Sequence, residues 1–422
     1  MSSVVQRSEA IILNILIVSQ HFWPETFRIN EVVTSLCRAG CHVTVLAGQP
    51  NYPEGRVFKG YRASAFGTEI HPEGYTIVRI PVVPRGNSSA LGMIANYISF
   101  VVTATLIGPW LLRGRRFDAI FVYAVSPILQ AIPAIAIKWL KRAPLTVWVQ
   151  DLWPQSLEVT GFVKNKSILA AVGTLTRWIY RRSDLLLVQS QGFVPEVTAM
   201  AGEVPVRYHP NPGDLQDQRF WGGDRVYTLR PGFNVVFAGN VGTAQSPDTL
   251  LNVARELSNQ PDIRIVVVGT GSRLDWLRQE AKEQRLDNLE FAGRFPASYM
   301  AGIFAQASAL LVVLGKGTIL TQTVPSKVSS YLAAGKPIIG SIDGEGAHVI
   351  REAGAGIAVP AEDVHALASA IVAMRDADDA TRLRWGQSGK RYFDEHFDPD
   401  KLALRLRSLL QEAGDKRGDK GK

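Results

Sequence analysis

The feature that most constrains this chain is a repeated alternation of short apolar, β-branched runs with longer helical patterns, the sequence sign of βαβ units around parallel sheets. In the first half the runs are Ile11–Val18, His42–Leu46, Thr76–Pro81, Ala119–Tyr123, Leu145–Val149 and Leu185–Val188. Leu145-Thr-Val-Trp-Val149 is uniformly apolar, as suits a strand covered on both faces. Helical patterns at Asn30–Ala39, Pro127–Leu140 and Ser167–Arg182 lie between them. A second series follows the stretch His209-Pro-Asn-Pro-Gly-Asp214, with strands expected at Phe233–Phe237, Ile263–Val268, Leu289–Phe291, Ala309–Leu314, Pro337–Gly340 and Gly356–Val359. Its helices are expected at Pro247–Ser258, Arg273–Glu283, Ser298–Ala307, Lys327–Ala334, Ala347–Glu352, Val364–Arg375 and Ala380–Glu395. At 422 residues the chain exceeds what one core organises. We therefore expect two doubly wound α/β domains, 1–215 and 216–396. A helix over 397–412 is expected to pack back on the first, with a disordered tail at 413–422, whose last eight residues include no apolar one.

Charge is uneven. Residues 1–215 carry a net +7 and the remainder +1, within a total of +8. A basic first half implies an anionic partner: a membrane surface, a phosphate-bearing substrate or nucleic acid. Zinc-finger spacing and aromatic–basic RNA signatures are absent, which ranks nucleic acid last. The two cysteines, Cys37 and Cys41, have no second pair with which to hold a metal and read as reduced thiols, fitting a cytosolic compartment. The run Ile11-Ile-Leu-Asn-Ile-Leu-Ile-Val18 leads to no cleavage site and reads as a buried strand.

From Gly86 to Leu112 there is no charged residue, and Arg113, Arg115 and Arg116 follow at once. The length suffices to cross a bilayer. Asn96, Ser99, Thr103, Thr105 and Pro109 interrupt it, and a span would split the sheet. The favoured reading is a helix partly buried in the domain and partly exposed to lipid, with the arginines at the headgroups. A wholly buried helix is the bland alternative.

Ligands of open parallel sheets bind at the carboxyl ends of the strands. After the first strand, Ser19-Gln-His-Phe-Trp-Pro-Glu-Thr-Phe-Arg28 gathers His21, Glu25, Arg28 and three aromatics, suited to an acceptor or equally to capping the core. It lacks the Gly-x-Gly-x-x-Gly pattern expected for NAD. Asp151 stands at the tip of the fifth strand, where it either meets a substrate or caps a turn. In the second half, Phe237-Ala-Gly-Asn-Val-Gly-Thr-Ala-Gln-Ser246 joins a strand to a helix; Gly239 and Gly242 let backbone amides approach a ligand, and the helix start favours an anion. Gly269 opens a similar turn. Arg294, Ser326 and Lys327 fall on the same rim, where cations and a helix N-terminus can hold and stabilise a departing diphosphate. Asp376, Asp378 and Asp379 read as a solvated junction, and no residue is assigned to a metal.

From about Ile15 to Phe397 the sequence resembles family-4 glycosyltransferases of the GT-B architecture, two Rossmann-like domains facing across a cleft. The resemblance is carried by Phe22-Trp-Pro-Glu-Thr-Phe-Arg-Ile-Asn30, Gly48-Gln-Pro-Asn-Tyr-Pro53, Val149-Gln-Asp-Leu-Trp-Pro154, Gly239-Asn-Val-Gly242 with Ala244-Gln245, Pro325-Ser-Lys327 and Tyr331-Leu-Ala-Ala-Gly-Lys-Pro337. It is similar to the branch containing L-fucosamine (N-acetyl-L-fucosamine) transferases of O-antigen and capsule assembly. The resemblance implies a retaining, metal-independent transfer from a UDP-sugar donor, with no cofactor, to a polyprenyl-diphosphate-linked sugar acceptor at the inner face of the cytoplasmic membrane. It implies that Gly239, Asn240, Gly242 and Gln245 face the donor, that Arg294 and Lys327 bind its phosphates, and that Asp151 lies near the reacting sugar. Two features depart from the family pattern: Gln322 and Ser330 stand where a Glu-x7-Glu pair is common, with Glu345 as a substitute, and Gln150 replaces a frequent His. Two rivals remain open here: a nucleotide-sugar epimerase, and a scaffold that has lost catalysis, which the missing Glu pair favours.

Overall fold

The computed structural model describes residues 12–86, 90–159, 163, 165–213 and 227–419. It forms two compact units. The first holds the chain up to Gln189, Val194–His209 and the end from Asp400; the second holds Ser190–Phe193 and Pro210–Pro399.

The first unit runs β1 (Asn14–Val18), α1 (Ile29–Arg38), β2 (His42–Gly48), β3 (Gly67–Ile70), β4 (Thr76–Ile80), α2 (Ala90–Leu106), α3 (Gly108–Leu111), β5 (Ala119–Ala124), α4 (Ala131–Lys141), β6 (Leu145–Val149), α5 (Gln155–Val159), α6 (Lys166–Arg182), β7 (Leu185–Val188), α7 (Val194–Ala201) and β8 (Val206–Tyr208). Its sheet order is β3-β4-β2-β1-β5-β6-β7-β8, parallel except for β3 against β4. Every residue of β5, β6 and β7 is buried, as their apolar runs require.

The second unit runs β9 (Phe233–Ala238), α8 (Pro247–Glu256), β10 (Ile263–Val268), α9 (Leu274–Glu283), β11 (Leu289–Gly293), α10 (Ala297–Gln306), β12 (Ala309–Val313), α11 (Thr318–Gln322), α12 (Ser326–Ala334), β13 (Ile338–Ser341), α13 (Gly344–Glu352), β14 (Gly356–Val359), α14 (Val364–Asp376) and α15 (Asp379–His396). Its six strands are all parallel, in the order β11-β10-β9-β12-β13-β14. Successive strands move outward from β9 in one direction and, from β12, in the other. The switch point therefore lies between β9 and β12, where open α/β sheets hold their ligands.

The last helix, α16 (Pro399–Asp419), belongs to the first unit from Asp400 on. Ala403, Leu406, Leu410 and Ala413 join a core with Ile15, Val33 and Leu36. The tail expected to be disordered from 413 is instead helical through Asp419, continuing the helix whose stripe up to Ala413 is buried. The expected strand start at Ile11 and most of the expected linker fall outside the described residues. Sequence reading missed β3, β8, α5, α7 and α11. The first two are short strands at the sheet edges, and β3 alternates polar and apolar residues in place of an apolar run.

Among the described residues no helix is long and apolar enough to cross a membrane. The uncharged segment instead forms α2 and α3, and the polar residues that interrupt it are what attach it. Asn96 is fully buried, accepting from Gln20 Nε2 at 2.7 Å and donating to the Val83 carbonyl at 2.6 Å. Thr103 Oγ1 donates to the Pro81 carbonyl at 2.8 Å.

Candidate functional site

At the switch point of the second unit, β9 ends in Ala238 and the chain turns through Gly239, whose φ of +124° favours glycine. A Cβ there would stand 2.8 Å from Lys327 Cε, so the lysine crosses directly over a bare backbone. Gly269, at φ +140° after β10, lies closer still: its Cβ would fall 2.0 Å from the Gly239 carbonyl oxygen. Paired strands explain this crowding, since Ala238 and Val268 are register partners and Gly239 N–H donates to Val268 O at 2.8 Å. The rest of the turn braces itself. Gln245 Oε1 accepts from Asn240 Nδ2 at 3.0 Å and from the Gly242 amide at 3.1 Å.

Lys327 is the second residue of α12, whose N-cap Pro325 contributes no capping side chain. Amides of an uncapped first turn are available to an anion. The side chain is half-buried, with Nζ shielded from solvent and without a hydrogen-bond partner among the described residues. It sits 3.5 Å from the centroid of the Phe237 ring, a cation–π contact that offsets part of the desolvation. Burial pushes its pKa down to about 7. An amine in this state is stabilised by any ligand that brings negative charge.

Sequence reasoning gave no site role to the residue that anchors the helix bearing this amine. Tyr331, one turn along α12, is fully buried; its hydroxyl accepts from the Ala238 amide at 2.9 Å and donates to the Ala238 carbonyl at 3.3 Å. It locks α12 to the end of β9 one residue before Gly239. Its i+4 spacing from Lys327 was visible in the sequence, but its partner, a backbone group 93 residues away, was not.

The other expected residues distribute along the same sheet end. Arg294 is exposed directly after Gly293, whose carbonyl accepts from the Gly269 amide at 2.8 Å. Ser326 is exposed at the start of α12. Glu345 lies in the first turn of α13, after β13, and its carboxyl is raised by burial, with Glu352 adding and His348 opposing. Ser330 falls three residues after Lys327 on α12, and Gln322 ends α11. Among the described residues no group of three or more His, Cys, Asp or Glu is placed to hold a metal.

In the first unit the loop after β1 is held by bonds to its neighbours. Glu25 is buried and its carboxylate accepts from the amides of Phe22 (3.0 Å), Asn51 and Tyr52 (both 2.7 Å), with His21 Nδ1 at 3.2 Å. His21, also buried, stacks on Phe27 with ring centroids 5.3 Å apart. Arg28 is half-buried at the head of α1. Thus His21 and Glu25 tie the loop after β1 to the loop after β2. Asp151, half-buried after β6, accepts from the Ser126 amide at 3.0 Å and its hydroxyl at 2.9 Å, and Trp153 Nε1 donates to that same hydroxyl. The carboxylate therefore caps the turn after β5.

Comparison with known proteins fits this architecture. The family model "Glycosyl transferase 4-like domain" matches residues 26–212 and "Glycosyl transferases group 1" matches 232–376. The chain is 25% identical over 357 residues to "Probable glycosyltransferase WbjE" of Pseudomonas aeruginosa, covering 78% of this chain and 84% of that one. It is 23% identical over 341 residues to "Putative colanic acid biosynthesis glycosyl transferase WcaI" of Escherichia coli, covering 76% and 82%. Among solved structures it resembles sucrose-phosphate synthase of Thermosynechococcus elongatus (TM-score 0.68, 16% identity, covering 95% and 98%). It also resembles HepE of Anabaena in complex with UDP and glucose (TM-score 0.65, 14% identity, covering 95% and 100%). With two α/β domains of the GT-B fold and both halves matched by glycosyl transferase families, the chain belongs to the group 1, family-4 glycosyltransferases.

Proposed function

We propose that the protein transfers a sugar, with retention, from a UDP-sugar to a polyprenyl-diphosphate-linked sugar during assembly of a surface polysaccharide. The observation that carries the donor half is Lys327: a shielded amine without a hydrogen-bond partner among the described residues, over glycine backbone at the switch point. A diphosphate supplies the charge this amine lacks, and Gly239 and Gly269 leave room for it against the backbone. Asn240 presents an exposed amide beside the same turn, and Arg294 adds a second cation on the rim. The solved relative HepE is described with UDP and glucose, which supports a uridine nucleotide. The name of WcaI, a colanic acid biosynthesis glycosyl transferase, supports a polysaccharide product. An N-acetyl-L-fucosamine-type amino sugar is the donor sugar we favour. Because Lys327, Arg294 and the start of α12 neutralise the leaving diphosphate, turnover is expected to persist in a chelator.

The acceptor half rests on the basic first unit, and places the enzyme at the membrane surface where a polyprenyl carrier resides. UDP release from a panel of UDP-sugars, with and without a polyprenyl-diphosphate-sugar, tests both halves. Acceptor-dependent release with one donor is expected. Acceptor-independent turnover would point to an epimerase, and UDP binding with no turnover of any donor to a scaffold.

A further inference from the structure

Helix α2 is built inside out. Leu91, Ile94, Ile98, Val102 and Leu106 recur every three or four residues on one face, and all are exposed, Leu91 at 80% and Leu106 at 72%. The opposite face, Asn96, Phe100 and Ala104, is fully buried. A helix lying on its own domain ordinarily turns its apolar stripe inward. Here the polar side chains Asn96, Ser99 and Thr103 hold the helix by bonds to Val83 and Pro81, and the apolar stripe is left outside. Continuous exposed apolar faces of this kind mark an interaction surface.

Three exposed tryptophans on α3, α4 and α6 share two arginines. Arg113 lies over Trp110 at 4.6 Å, and Arg182 lies over both Trp139 and Trp178 at 5.6 Å. The ends of α3, α4 and α6 that bear them are stitched together. Lys141 Nζ donates to the carbonyls of Leu112 (2.6 Å) and Arg115 (3.0 Å), and Lys138 Nζ to that of Arg182 (2.7 Å). Tryptophan with arginine at the border of an apolar face is the chemistry of a bilayer interface: rings at headgroup depth, guanidinium on lipid phosphate. A second copy of the chain is a poorer occupant, because it brings the same arginines and residues 86–117 contain no acid to meet them.

We infer that the outer face of α2, with Trp110, Trp139 and Trp178, is a docking surface for an anionic lipid bilayer. It lies in the interface plane without crossing. The inference rests on the proposed lipid-linked acceptor only for its purpose; its geometry stands without any sugar chemistry.

The test is sedimentation of the full chain with vesicles of phosphatidylcholine alone or mixed with phosphatidylglycerol, no donor or acceptor present. Binding is expected only to the anionic vesicles, and to fall with salt. The triple variant Ile94→Gln, Ile98→Gln, Val102→Gln changes only exposed positions and is expected to lose binding at least tenfold. Arg113→Gln is expected to weaken it about fivefold. Equal binding by the triple variant, equal binding to neutral vesicles, or no vesicle binding together with a dimer that the triple variant dissociates would each overturn the inference. Turnover with a water-soluble acceptor is expected to survive in the triple variant. Its absence in the unaltered protein would count against the transferase reading alone.

Discussion

Lys327 illustrates how one buried amine can be both a functional group and a structural burden. Desolvation holds its pKa near 7, against an ordinary 10.5, so the folded protein binds fewer protons than the unfolded chain between those values. This group therefore lowers stability below pH 7, and the penalty fades as pH rises through that window. Lys327→Met keeps the volume and removes the charge; thermal melts of the ligand-free protein at neutral pH are expected to show it more stable than the parent. The same position should govern catalysis: losing a preorganised charge contact costs about 2–4 kcal/mol in the transition state, so Lys327→Ala is expected to cut turnover roughly a hundredfold or more while the fold survives. Glu25 tells the opposite story. Its carboxylate is already satisfied by three backbone amides, so Glu25→Gln is expected to act on stability, by about 1.5–3 kcal/mol for a weakened charge-assisted bond, seen as a lower melting temperature. The sequence put Glu25 in the loop after the first strand and Lys327 at the start of a helix on the rim, and read both as facing a ligand. What separates them is the identity of neighbours far along the chain: Asn51 and Tyr52 for the glutamate, Phe237 and Gly239 for the lysine.

At the scale of elements, uniform apolar strands such as β6 and β7 were read within a residue or so, because burial on both faces imposes their composition. Edge strands escaped, since β3 is half-exposed and is held by pairing with β4 and by the Arg79–Glu69 ion pair at 2.7 Å. The amphipathic sense of α2 was legible only in part. The uncharged run announced an unusual helix, but which face turns inward depends on Val83 and Pro81 carbonyls outside it. The glycine turns are where element geometry becomes function. Gly269→Ala would place a methyl 2.0 Å from the Gly239 oxygen at a φ only glycine adopts comfortably. A strain of about 1–3 kcal/mol is expected, and because it displaces the Gly239 turn, UDP affinity should fall more steeply than the melting temperature. Equal affinity in that variant would remove the turn from the donor site.

For the whole molecule, the count of two doubly wound units followed from length and alternation, and the excess of basic residues in the first half was plain from the sequence. The extent of the last helix was not, because beyond the stripe of Ala403, Leu406, Leu410 and Ala413 it runs on to Asp419 through polar residues with no apolar pattern. Leu406→Ala is accordingly expected to destabilise that unit by about 2–5 kcal/mol, read as a lowered denaturation midpoint. In this account the shielded Lys327 amine receives the diphosphate of the donor. Calorimetric titration of the ligand-free protein with UDP, at about pH 8 in buffers of differing ionisation enthalpy, addresses that claim directly. Lys327 is mostly neutral there, and a diphosphate raises its pKa, so binding should be accompanied by uptake of nearly one proton. Lys327→Gln should lose both the uptake and most of the affinity. UDP binding of unchanged strength in the variant, or binding without proton uptake in the parent protein, would contradict the account.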